Sequence, residues 1–111
     1  MDNLFIKEAC VTNYLQAKRA FELGANRLEL CFDIANGGVT PSYGTAKQIK
    51  ENLNIPVFCM IRPRGGNFVY DENEIKIMMD DIFILVNLFE FILFHASYIK
   101  INKKIKMGII I

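Results

Sequence analysis

Val57-Phe58-Cys59-Met60-Ile61-Arg62-Pro63-Arg64-Gly65-Gly66 is the stretch that decides the fold. A short apolar run, opened by Pro56, stops at two arginines that flank a proline, and two glycines follow. Runs of this length and apolarity are strands buried on both faces, the kind found in parallel sheets. In such folds functional groups gather where strands end at their carboxyl termini. Guanidinium forks and freely oriented backbone N–H groups suit an oxyanion such as phosphate or carboxylate. Arg62, Arg64, Gly65 and Gly66 are therefore the expected anion-binding residues, with an exposed, solvated turn as the plainer reading.

Working outward, strand and helix signals alternate. Leu4–Val11 has β character with alternating faces, and Thr12 or Asn13 can cap a helix that ends near Gly24. Leu15, Ala20, Phe21 and Leu23 form the expected apolar face of that helix. Arg27–Phe32 gives a second strand, the Gly37–Ser42 loop leads to a helix over about Tyr43–Leu53, and Pro56–Arg62 gives a third strand. Asp71 with Glu74 resembles a capping box that starts a third helix near Glu72, with Ile75, Met78, Met79 and Ile82 on its face. The β-α-β-α-β-α order predicts an α/β fold with a parallel sheet. Phe89–Phe94 suits either a fourth strand or a continued helix, and no stop signal is evident near Leu88-Phe89.

At 111 residues and 52% hydrophobic content, the chain forms one small domain with much to bury. A net charge of +1 gives no electrostatic case for nucleic acid. Residues 1–10 lack the apolar core of a signal peptide. Three widely spaced cysteines point to free thiols in a reducing compartment. Ile82–Ile99 is apolar, but Asn87, Glu90 and His95 interrupt it, so no membrane span is expected. The four lysines of Lys100–Lys106 read as a solvated tail.

Two strands share a small pattern, Glu8-Ala9-Cys10 and Glu29-Leu30-Cys31. Residues two apart share a face of a strand, so each Glu accompanies its Cys. On adjacent strands the two thiols can meet, which suits Cu(I) and is acceptable to Zn(II). Two buried free cysteines packed as small hydrophobes are the alternative. Met60 shares parity with Arg62, and Cys59 faces the other way, toward the helices. Buried carboxylates need partners, so Glu8 and Glu29 are expected to pair with Arg62 and Arg64. That cluster makes Glu8 and Glu29 the candidate acid/base groups, with a purely structural ion-pair layer as the alternative.

Together these residues resemble the CutC copper homeostasis family. The resemblance rests on Glu8-Ala9-Cys10-Val11, on Gly24-Ala25-Asn26-Arg27-Leu28-Glu29-Leu30-Cys31 and on Gly37-Gly38-Val39-Thr40-Pro41-Ser42 with Gly44. It continues through Ile55-Pro56-Val57, Met60-Ile61-Arg62-Pro63-Arg64-Gly65-Gly66, Phe68, Tyr70, Glu74-Ile75 and Met79-Asp80-Asp81-Ile82. It implies a cytoplasmic TIM-type (β/α) barrel, Cu(I) held by Cys10 and Cys31, and a polar cluster of Glu8, Glu29, Arg62 and Arg64 at the barrel mouth. Family members are described as oligomers.

A TIM barrel takes about 250 residues, so this chain supplies a partial barrel of three β-α units and at most a fourth strand. Residues 1–82 carry the family-like part. Residues 83–111 differ in texture, as a frameshift near 83–90 would leave them. Open sheet edges and an unfilled interior then predict poor stability and self-association. Three functions follow as expectations: a Cu(I)-binding homeostasis protein, a barrel enzyme acting on a phosphorylated or carboxylated small molecule, or a fragment without function.

Overall fold

A computed structural model describes residues 5–87 and 91–94. Its frame is a four-stranded sheet, all parallel, in the order β1 (Glu8–Val11), β2 (Arg27–Leu30), β3 (Val57–Ile61), β4 (Phe91–Phe94). Helices α1 (Tyr14–Glu22), α2 (Tyr43–Asn52) and α3 (Glu72–Val86) connect successive strands. Each new strand is added on the same side of the last, with no reversal of order. A doubly wound sheet reverses at a switch point, whereas a barrel adds strands in sequence. This is the α/β fold expected, as part of a TIM-type barrel.

The strands are shorter than the apolar runs that contain them. β1 begins at Glu8 because its pairing partner β2 begins at Arg27, and these two residues are in register. Phe5 and Ile6, upstream of that pairing, are exposed. β4 pairs in parallel with β3, from Phe58–Phe91 to Ile61–Phe94, which settles Phe91–Phe94 as strand. The stop signal for α3 is Asn87, whose Nδ2 donates to Phe83 O at 3.0 Å.

The helix starts follow capping chemistry. Asn13, Ser42 and Asp71 accept hydrogen bonds from the backbone N–H groups of Gln16, Thr45 and Glu74 respectively. Each satisfies one donor that the first helical turn leaves without an intrahelical partner. Glu72 and Glu74 add negative charge to the first turn of α3, where the helix dipole favours it.

The core lies between the sheet and the helices. Val11, Leu28, Leu30, Val57, Cys59 and Ile61 point from the strands toward Ala17, Ala46, Ile49, Ile75, Met78 and Leu85. The face expected for α1 is corrected. Ala17 is fully buried, while Leu15 and Leu23 are 74% and 76% exposed and Phe21 is 39% exposed. Tyr14, Ala17 and Ala20 form the i, i+3, i+6 row against the sheet, so small side chains set the close approach of α1. Met79 is likewise outside the buried row of α3, which runs Ile75, Met78, Ile82, Leu85.

His95 and Lys100–Lys106 lie outside the described residues, as does most of the segment 83–111. Among the described residues no helix is long and apolar enough to cross a membrane. Ile82–Ile99 is divided, where described, between the end of α3 and β4.

The inverted face of α1 is testable by urea denaturation. Leu15→Ala should change stability by no more than about 0.5 kcal/mol, as surface substitutions do. Ala17→Leu should cost about 1–3 kcal/mol, because the added carbons have no room against the sheet.

Candidate functional site

Alternation along the strands puts one set of side chains on the face away from the helices. They form levels across the sheet. Glu8 is in register with Arg27, Cys10 with Glu29, and Glu29 with Phe58. Cys31 and Met60 follow one residue beyond the Leu30–Cys59 pair, and Arg62 ends the series past β3. In a closed barrel this is the interior face, and its upper levels lie at the carboxyl ends of the strands.

The two thiols meet there. Cys10 Sγ lies 3.5 Å from Cys31 Sγ, within reach of a weak S–H···S hydrogen bond. Cys31 is buried and Cys10 exposed, so one sulfur anchors the pair and the other opens to solvent. Burial pushes the Cys31 thiol up to about 12; the hydrogen bond it shares with Cys10 and the charges of Cys10 and Glu29 act in the same direction. Cys59 is on the helix side of the sheet, and burial alone raises it to about 12. It is an inert core thiol, as its parity predicts.

A loop folds over the upper level. Phe32 and Val39 exchange backbone hydrogen bonds of 2.9 and 2.7 Å in an antiparallel bridge, which brings the Gly37–Thr40 segment across the strand ends. Gly38 closes on the side chains of Cys31 and Met60. A Cβ at this position would sit 3.4 Å from Cys31 Sγ and 3.6 Å from Met60 Cε.

Arg62 holds that loop in place. Its side chain is buried, at 3% exposure. Nη1 donates to Asn36 O at 2.7 Å and Gly38 O at 3.0 Å, and Nη2 donates to Gly66 O at 2.8 Å. Its guanidinium carbon lies 4.7 Å from the centroid of the Phe68 ring. Thr40 Oγ1 accepts from Arg62 N and donates to Arg62 O. The planar fork of arginine, with five donors, suits this bridge between two loops. Gly37 makes it feasible, since a Cβ there would lie 2.7 Å from Arg62 Nη1 and its φ is +91°.

The pairing expected for the charges is corrected. Glu8 pairs with Arg27, not with Arg62 or Arg64. The two are in register on neighbouring strands, whereas Arg62 lies past the end of β3. Glu8 is exposed, so burial is not what demands its partner. Arg27 also stacks 5.0 Å from the centroid of Phe58. Arg64 turns away toward α3, with Nε 2.7 Å from Glu74 Oε2. Its terminal nitrogens donate to Gly65 O, Asn67 O and Val69 O. Glu29 stays beside the thiols, where its charge acts on Cys31. Gly65 and Gly66 thus contribute carbonyl oxygens to the two arginines. Arg27, Asn36 and Phe68 are site residues that the sequence reading missed; Arg27 shares parity with Glu29 and Cys31, and that was the available signal.

Among the described residues, no group of three or more His, Cys, Asp or Glu side chains is placed to hold a metal ion. Two thiols alone match a soft, low-coordinate ion.

Thiol chemistry gives a direct check. Cys10 should be alkylated first at neutral pH, with Cys31 and Cys59 modified only on unfolding, as peptide mapping would show. Both buried thiols titrate above their ordinary value of 9.0. The folded chain therefore keeps protons that the unfolded chain has released. Their contribution to stability is full below about pH 9 and is lost as pH climbs toward about 12. Gly37→Ala should destabilise by about 2 kcal/mol, read from the urea midpoint, since it combines a strained positive φ with a displaced Arg62.

The CutC family model matches residues 5–98. The chain is 48% identical over 80 residues to a copper homeostasis protein cutC homolog of Homo sapiens, covering 72% of this chain and 29% of the human protein. It is 46% identical over 80 residues to a family protein CutC of Enterococcus faecalis, covering 69% of this chain and 38% of that protein. The crystal structure of a putative copper homeostasis protein CutC from Streptococcus agalactiae superposes with a TM-score of 0.76 at 39% identity. That superposition covers 85% of this chain and 48% of the other. The chain thus spans about a third of the length of the curated relatives it matches. On the strand order, the length of the family match and the identity to these relatives, the chain belongs to the CutC family.

Proposed function

We propose that the chain serves copper homeostasis by binding Cu(I) between Cys10 and Cys31. The observation that carries this reading is the approach of two thiols to 3.5 Å on one face of adjacent strands, one buried and one exposed. The donors fit the ion, because Cu(I) favours thiolate sulfur and low coordination. An exposed Cys10 gives an entry route, and the buried Cys31 shields the bound ion from water. The names of the relatives, as copper homeostasis proteins, support the same conclusion. Free thiols fit a reducing, cytoplasmic setting.

Binding must displace the thiol protons. Cys31 holds its proton up to about pH 12 in the free chain. Copper affinity should therefore rise with pH, by about tenfold per unit for each proton displaced. Anaerobic titration against a Cu(I) chelator is the decisive measurement. The full chain should take up one Cu(I), and the Cys10→Ala/Cys31→Ala double variant should lose at least about a hundredfold in affinity. Equal competition by both proteins would remove the reading.

A second reading rests on Arg62. Its Nε is buried without a hydrogen-bond partner among the described residues. A small phosphorylated or carboxylated molecule seated at the strand ends would supply an acceptor, with Glu29 as acid/base. Inorganic phosphate should then raise the thermal midpoint of the wild type and fail to do so in Arg62→Lys, which keeps the positive charge but lacks the guanidinium Nε–H. No response of the wild type to phosphate or to a phosphate ester would count against it.

A further inference from the structure

We infer that Met60 is the third sulfur ligand of the copper site, and that the site is a three-sulfur centre rather than a two-cysteine one. The inference rests on the Cu(I) reading above and extends it to a residue with no assigned role.

The spacing of the thiols is the starting point. A two-coordinate ion holds its donors on opposite sides. With metal–sulfur bonds of about 2.3 Å each, opposed sulfurs would stand about 4.6 Å apart. Cys10 and Cys31 stand 3.5 Å apart. At that separation they take up one side of an ion and leave its other side open. An open position beside a soft ion is stable only if a soft donor fills it or water is admitted.

Met60 is placed to fill it. It belongs to β3, the neighbour of β2, and shares the thiols' face of the sheet because its parity is that of Phe58 and Arg62. The Leu30–Cys59 register puts it level with Cys31 on the adjoining strand. Cys10, Cys31 and Met60 thus come from three successive strands and turn to one side. Both side chains border the same glycine: a Cβ at Gly38 would lie 3.4 Å from Cys31 Sγ and 3.6 Å from Met60 Cε.

Met60 is also unusual for its setting. It is 2% exposed, yet it lies outside the helix-side core that accounts for the other buried strand residues. A buried side chain there needs only apolar bulk, which Leu would supply. Methionine adds a polarisable thioether on a flexible stem that can turn its sulfur toward an ion. A neutral thioether binds Cu(I) well and Zn(II) poorly, so this residue gives the site its preference for copper. Gly38 packs against both side chains at φ +90°, a backbone conformation that L side chains rarely adopt.

The test is sulfur counting by X-ray absorption on the full chain loaded anaerobically with one Cu(I). The wild type should show three sulfurs in the copper shell and Met60→Leu two, with Cu(I) affinity about tenfold weaker in the variant. The thermal midpoint of the copper-free chain should be the same in both, which separates ligation from packing. Selenomethionine-labelled wild type supplies a second measurement independent of the variant's folding. Absorption at the selenium edge should detect copper at bonding distance. A wild-type shell of two sulfurs, an unchanged shell in Met60→Leu, or no copper neighbour at selenium would overturn the proposal while leaving the thiol reading intact. If Cys10→Ala/Cys31→Ala retains full copper affinity, the thiol reading fails, and the role of Met60 fails with it.

Discussion

Register between parallel strands is the constraint on which the rest depends. Side chains alternate with a period of two, so a slip of one residue in any pair would exchange the two faces. The observed register sends Val11, Leu28, Leu30, Val57, Cys59 and Ile61 to the helices. The same register sends Glu8, Cys10, Arg27, Glu29, Phe58 and Met60 to the other side. Fold and site are thus not separate achievements of the sequence. Burial of six apolar strand residues fixes the register, and the register brings the sulfurs together. The cysteines illustrate the point: Cys59 and Cys31 are both buried and both hold their protons up to about 12, yet only Cys31 faces another thiol.

The arginines then decide what the site can bind. Buried charge is costly unless its donors are met. Arg62 meets most of that cost with three backbone carbonyls and the Phe68 ring, and in doing so pins the Gly37–Thr40 loop over the strand ends. Arg64 does the same for the 65–69 turn and joins it to α3 through Glu74. Most of the fork donors of these residues are therefore turned on the chain itself. Their first effect is to shape the mouth of the site. The loop that Arg62 holds is the one that lowers Gly38 onto Cys31 and Met60.

Much of this was legible in the sequence because it depends on local rules. Strand parity placed Cys10 with Cys31 and set Cys59 apart, and the caps Asn13, offered beside Thr12, and Asp71 were readable from residue type and spacing. What failed depends on distance in space. The expected face of α1 counted large apolar residues, but close approach to a sheet selects for small ones, and Ala17 took the buried position. The charge pairs were assigned by shared position at strand ends. In the fold, Glu8 meets the residue in register with it, Arg27, and Arg64 reaches a helix ten residues on, at Glu74. Backbone carbonyls as partners for Arg62 left no mark in the sequence except Gly37, whose missing side chain makes room for the guanidinium.

The chemistry that remains available follows by subtraction. On the inner face the charged groups at the lowest level meet each other, as Glu8 and Arg27 do. At the top, the donors of Arg62 are largely spent on carbonyls. Between them lies a level of sulfur, where the contact between Cys10 and Cys31 is a weak hydrogen bond at best. Weakly held soft donors, closed off from water on one side by a glycine and open on the other through Cys10, offer little to a hard cation or to a proton. They offer a great deal to an ion that exchanges two thiol protons for two strong bonds to sulfur. A burial-raised Cys31 thiol makes that exchange pH-dependent without preventing it, because the ion itself stabilises the thiolate that burial disfavours.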